Sequence, residues 1–159
     1  MNKRSNRQVK ILGLILILAV VLISLVLFQS ASPMRKAKKE GIKIAQSVAD
    51  IQQVDEFYWF TREKTYFTVV GEDKNQVEKV VFLPQDGSEA LVMEQKEGLT
   101  DKEAIQKVLD LKETSKIKKV SLGIYDNKPT WEIVAKSKDG GIVYYLIDFK
   151  NGDVIKKID

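Results

Sequence analysis

With 159 residues, 26 basic and 22 acidic side chains, and neither histidine nor cysteine, the chain can have no disulfide, no thiolate or imidazole catalyst and no zinc–thiolate site. Lys3, Arg4, Arg7 and Lys10 precede every acidic residue, which leaves 22 basic against 22 acidic side chains beyond them and makes the excess charge a property of the tail. A formally neutral remainder offers no basic fold for reading nucleic acid, so no nucleic-acid partner is expected.

From Ile11 through Leu18 to Phe28 the sequence ILGLILILAVVLISLVLF carries no charge, about 27 Å of helix at roughly 1.5 Å per residue, close to the thickness of a hydrocarbon core. The run is longer than the apolar part of a cleaved signal peptide, although Ser30-Ala31-Ser32 would pass as a cleavage site. It is therefore read as a transmembrane anchor over 11–28, with 1–10 as a cytoplasmic tail. Arg35, Lys36, Lys38, Lys39 and Lys43 follow the run, so charge asymmetry alone does not orient it. The length of the C-terminal part does, because long domains translocate largely regardless of charge. The expected topology is single-pass, with the N-terminus inside and the C-terminal domain outside the cell membrane.

Ser32-Pro33 predicts a helix start, with a capping hydroxyl followed by a proline at the first helical position. Met34, Ala37, Gly41, Ile44, Val48 and Ile51 recur at spacings of three and four, widened by Ile42, Ala45 and Ala49 into a face to be buried. The lysine-rich opposite face reads as solvated, with contact to anionic headgroups or wall polymers as its functional alternative.

Short β-rich runs follow at 56–61, 65–70, 77–83 and 90–94, separated by turn signals that include Pro84-Gln85-Asp86-Gly87. Thr100 and Glu103 then form a capping box ahead of a second helix with Ala104, Ile105, Val108, Leu109 and Leu111 on one face. Further strands are predicted at 120–125, 130–136, 142–148 and 154–158, punctuated by Asp126-Asn127, Asp139-Gly140-Gly141 and Asn151-Gly152. The halves match at a shift of about 63 to 65 residues: Gly41-Ile42 with Ala104-Ile105, Phe67 with Trp131, Val69-Val70 with Ile133-Val134, Gly87 with Gly152. The fold class expected is α+β, an N-terminal transmembrane helix followed by two units over 33–98 and 99–159. Each unit lays one helix on an antiparallel sheet, and the two pack together.

A helix followed by a small antiparallel sheet in about 60 residues resembles the PepSY-type fold. The second unit carries the likeness, in Trp131-Glu132-Ile133, in Tyr144-Tyr145-Leu146-Ile147-Asp148-Phe149 and in Asn151-Gly152. With a basic tail, one anchor and two such units, the whole chain is similar to the TseB-like cell-wall elongation regulators of Gram-positive bacteria. That resemblance implies a non-enzymatic membrane protein acting outside the cell on peptidoglycan synthesis, with a penicillin-binding transpeptidase of the elongation machinery as its partner. It implies no catalytic, cofactor or metal residue. A PepSY-like inhibitor or chaperone of a secreted peptidase is the alternative, and a sensor subunit is disfavoured by a ten-residue tail that offers only charge.

Four aromatic residues are candidates for a partner surface. In Phe57-Tyr58-Trp59-Phe60 alternate side chains point to opposite faces, so either the strand is sandwiched or one pair, with Tyr58 or Trp59, is exposed to a partner. Trp131 and Tyr145 are expected on adjacent strands, where core packing competes with a groove for an added peptide strand. Ser115-Lys116-Ile117-Lys118 matches S-x-x-K, but its companion S-D-N and K-T-G motifs are missing and the match is chance. Glu72, Asp73, Asp86 and Asp148 lack calcium-loop spacing and read as solvated turn residues.

Overall fold

The structure is a computed structural model in which residues 13, 15–22, 24 and 32–159 are described. Residues 15–22 are helical, and Leu18 is 61% exposed. Ile11 and Phe28, the ends of the expected anchor, lie outside the described residues, and among the described residues no helix is long and apolar enough to cross a membrane. The chain divides into two compact units, 1–37 and 38–159.

Helix α1 runs over Ser32–Ala49. Asp50 then takes φ 55, a left-handed conformation that ends a helix. Ile51, expected on the last helical turn, therefore opens β1 instead and is 1% exposed. Four strands follow as an antiparallel meander in the order β1-β2-β3-β4: Ile51–Thr61, Thr65–Asp73, Glu78–Pro84 and Leu91–Glu94. A short 3₁₀ turn at Gln95–Glu97 leads to α2, Asp101–Asp110. The Thr100 capping box forms as expected: Thr100 Oγ1 accepts from Glu103 N at 3.3 Å and Thr100 N donates to Glu103 Oε2 at 2.8 Å. The second meander, β5-β6-β7-β8, comprises Thr114–Tyr125, Lys128–Ser137, Ile142–Asp148 and Val154–Ile158.

The repetition seen in the sequence extends to irregularities of the backbone. Register breaks at Ile51/Gln53 and Val54/Glu56 in the first sheet recur 63 residues later at Thr114/Lys116 and Ile117/Lys119 in the second. Both β1 and β5 thus begin several residues before the β-rich runs at 56–61 and 120–125. Bulges interrupt the period-two alternation on which a strand is recognised. Gly87 and Gly152 occupy the same left-handed turn position, φ 76 and 78.

Both faces of the first sheet are covered. Register places Phe57, Trp59, Phe67, Val69, Val81 and Leu83 on one face, and α1 lies on that face through Gly41, Ile42, Ala45 and Ala49. Ile44 and Val48, expected within the buried stripe, are each 49% exposed. The contact stripe is narrower and rotated, with Gly41 against the Phe57 ring, whose Cε2 would stand 3.3 Å from a Cβ there. On the opposite face Val70, Val80 and Phe82 join one core with Ala104 and Val108 of α2 and with Leu122, Trp131, Ile133, Tyr145, Ile147 and Phe149 of the second repeat. Leu109 and Leu111, expected on the buried face of α2, are each 41% exposed.

Where β1 crosses β5, a Cβ on Gly123 would fall 2.3 Å from Phe60 Cγ. Overpacking at that point is expected to cost about 1–3 kcal/mol in Gly123→Ala. Gly141→Ala, whose Cβ would have no neighbour nearer than 3.5 Å, should leave stability unchanged. Equal denaturation midpoints for the two variants would refute the close crossing.

Candidate functional site

The junction of the two repeats gathers most of the polar and aromatic side chains that could do anything specific. Trp131 lies at its centre, 1% exposed. The Tyr58 ring meets it edge-on with centroids 5.2 Å apart, and its Nε1 donates to Leu99 O at 2.9 Å. Leu99 N donates to Phe149 O at 2.7 Å, and the side chain of Gln95, 5% exposed, donates to Leu99 O at 3.0 Å. The connection between the repeats is thus hydrogen-bonded on both sides, and Phe149 packs so near Gly98 that no Cβ would fit. Phe149 also meets Phe82 edge-on across the same junction.

A second cluster sits where the β1–β2 turn reaches over the other face of the second sheet. Glu132, 5% exposed, accepts from Arg62 Nε at 2.5 Å and from Ser121 Oγ at 3.1 Å. The Arg62 guanidinium lies over the Tyr144 ring, 4.8 Å from its centroid. Thr68 Oγ1, fully buried, donates to Leu122 O at 2.7 Å. These side chains join one repeat to the other with every polar atom named here matched, as burial requires.

Burial pushes the Tyr58 phenol well up from its ordinary value, and the carboxylates of Asp101, Glu56 and Glu78 add to the shift. Glu78 is raised in turn, first by burial and then by Asp55, Glu72 and Asp101. Acidic residues therefore crowd one side of the body, around the start of α2. At the far end Glu113 accepts from Lys157 Nζ at 2.9 Å and from Tyr145 Oη at 3.1 Å, and both hydrogen bonds hold its carboxyl below the usual range. The Tyr145 phenol is raised by burial and by the same hydrogen bond. Two open depressions, about 510 and 570 Å³, are lined by Glu113, Asp139 and Lys157 and by Glu94, Lys96 and Glu103. Glu113, Glu94 and Glu103 are already engaged, by Lys157 and Tyr145, by Lys79 and Lys96, and by Thr100.

Of the four aromatic residues expected to form a partner surface, Trp131 and Tyr145 are core, 1% and 0% exposed. They point into the layer shared with α2, so neither offers a surface or a groove to a partner. Tyr58 is half-buried against Trp131. Trp59 is half-buried on the opposite face, edge-on to Phe67, with Nε1 donating to Thr61 Oγ1 at 3.1 Å. Both faces of the aromatic strand are partly covered, and Tyr58 and Trp59 each keep partial exposure. The pairing of Arg62 with Glu132 gave no sequence signal, since a charged residue in a hairpin turn such as Arg62 looks like any solvated one.

Two family models match the chain: the "Cell wall elongation regulator TseB-like domain" at residues 40–84 and the "Peptidase propeptide and YPEB domain", or PepSY, at residues 98–158. A curated relative, "Probable cell wall elongation regulator TseB" of Bacillus subtilis (strain 168), is 30% identical over 160 residues, 99% of each chain. The chain belongs to the TseB-like family. Among solved structures, the YpmB protein from Bacillus subtilis superposes with a TM-score of 0.68 at 29% identity, covering 76% of this chain and 94% of that one. The TseB-like match falls on α1 through β3, and the PepSY match spans α2 and the second sheet. In this member of the family the junction joins the segments that the two family models recognise.

Arg62→Met would leave Glu132 buried without its cation. A loss of about 2–4 kcal/mol in chemical denaturation is expected. Adding Glu132→Gln to the same chain should recover most of it, because the amide needs no counter-ion. An unchanged single variant would show that the pair contributes nothing.

Proposed function

We propose that this chain is a membrane-anchored, non-enzymatic regulator of peptidoglycan elongation that acts by binding a penicillin-binding transpeptidase outside the cell. The observation that carries the reading is the end-to-end likeness, 99% of each chain, to a protein whose name describes a probable regulator of cell wall elongation. The architecture supports it. A two-repeat body with a hydrogen-bonded connection presents one fixed surface, which suits a protein that works by contact. The sequence lacks the imidazole and thiol on which most acid–base and nucleophilic catalysis relies. Residues 11–28 would hold the chain in the membrane with residues 1–10 inside and the repeats outside.

A second reading has its own support in the PepSY match over 98–158, whose description names a peptidase propeptide. In that reading the chain inhibits or chaperones a secreted peptidase.

In-cell crosslinking of the full chain, followed by mass spectrometry of what is captured, separates the two. A transpeptidase is the expected catch, a peptidase would favour the second reading, and neither would remove both. Topology has a separate test, because the chain has no cysteine of its own. Lys150→Cys, at an exposed turn, should react with a membrane-impermeant maleimide in intact cells. Labelling only after lysis would place the repeats inside and end the extracellular proposal.

A further inference from the structure

We propose that Asn151-Gly152 is a deamidation site controlled by the fold, inert while the β7–β8 turn is closed against α2 and converted to aspartate or isoaspartate when that turn opens.

The sequence singles out the position. Of five asparagines, four precede Lys, Arg, Gln and Lys, and Asn151 alone precedes a glycine. Deamidation begins when the backbone nitrogen of the following residue loses its proton and attacks the asparagine Cγ. A new N–Cγ bond closes a succinimide ring, the Cγ–Nδ2 bond breaks, and ammonia leaves. Water then opens the ring at either carbonyl, giving aspartate or isoaspartate. A side chain on the following residue hinders the attack, and glycine has none. Asn151 is also exposed, so water already reaches it in the folded chain.

In the closed turn the reacting groups are engaged elsewhere. Gly152 N, the attacking atom, donates to Asp148 O at 3.0 Å, a bond that holds the proton it would have to lose. Asn151 Oδ1 accepts from Asp153 N at 2.9 Å, and Asn151 N donates to Asp148 Oδ1 at 3.2 Å. Side chain and main chain of Asn151 are therefore both pinned. Gly152 is buried at φ 78, and a Cβ there would stand 2.8 Å from Lys107 Cε and 3.0 Å from Leu99 Cδ2. Side chains of α2 and of the connection between the repeats thus press on the turn from outside. The reaction waits on local opening, and its rate follows the free energy of that opening.

The two products differ in what they do to the fold. Aspartate leaves the main chain as it was. Isoaspartate routes the main chain through the former side chain and adds a methylene just before Gly152, where Lys107 and Leu99 already touch. The hydrogen bond from Asp148 N to Asp153 O at 2.8 Å spans this turn, and a longer turn shifts its partners apart. β8 follows directly and carries Lys157, whose ammonium holds Glu113. An opening of the turn is consequently recorded in the covalent chain and weakens the seat of β8.

The test incubates the full chain in neutral detergent at mildly alkaline pH, folded or in guanidinium chloride, and follows each asparagine by peptide mass spectrometry with separation of isoaspartate. Conversion at Asn151 should be at least about tenfold slower in the folded chain, as local protection requires. In denaturant it should outrun conversion at Asn127, which precedes Lys128. Asp148→Ala removes the acceptor for Lys150 N and Asn151 N and should speed conversion in a chain whose denaturation midpoint shows that it still folds. Equal rates in folded and denatured parent chain would overturn control by the fold, and this comparison needs no variant. Equal rates at Asn151 and Asn127 in denaturant would overturn the role given to Gly152. Neither result bears on what crosslinking captures.

Discussion

Both faces of the first sheet are apolar, and burying the second of them is the constraint on which the rest of the body depends. One face takes α1, and the other has no helix of its own to cover it. Val70, Val80 and Phe82 find cover only because α2 and the second sheet fold against them. A small α+β repeat of this kind buries too little alone to be robust. Here a single continuous core serves both repeats, and Trp131 connects them by touching Tyr58 of one repeat and holding the connection at Leu99.

That arrangement has a functional consequence. Two repeats joined by a free linker would present two surfaces in variable relation. A connection hydrogen-bonded to Trp131, Gln95 and Phe149 presents one surface and lowers the ordering entropy lost on binding. The polar contacts at the seam, Arg62 with Glu132 and Thr68 with the Leu122 carbonyl, fix the relative placement of the sheets, since each would leave a buried group unsatisfied if the sheets slid. Glu113, at the edge of one open depression, is engaged by Lys157 and Tyr145.

Charge is organised on the same plan. The sequence beyond the tail is neutral in sum, yet acids gather about the start of α2 while lysines line the open face of the second sheet. Such separation does not follow from composition. It arises in part because the β5–β6 hairpin folds Lys116 opposite Lys136.

Much of the secondary structure was legible beforehand. Turn dipeptides and the Thr100 capping box act locally, over three or four residues, so hairpins, the second helix and the tandem repeat could be read from the chain. The aromatic run at Phe57–Phe60 announced two opposite faces for the same reason. What could not be read is what covers each face. The α1 stripe rotated to set Gly41 against the Phe57 ring, β1 and β5 began earlier than their patterns because bulges hide the alternation, and Leu109 and Leu111 stayed exposed. Trp131 and Tyr145 had an open choice between core and surface, and only the assembled layers placed them inside. The sequence by itself determined the elements and their repetition, because those rest on neighbours along the chain. Tertiary structure decided which aromatic residues are buried and which charges are paired, because those depend on residues brought together from 70 or more positions apart.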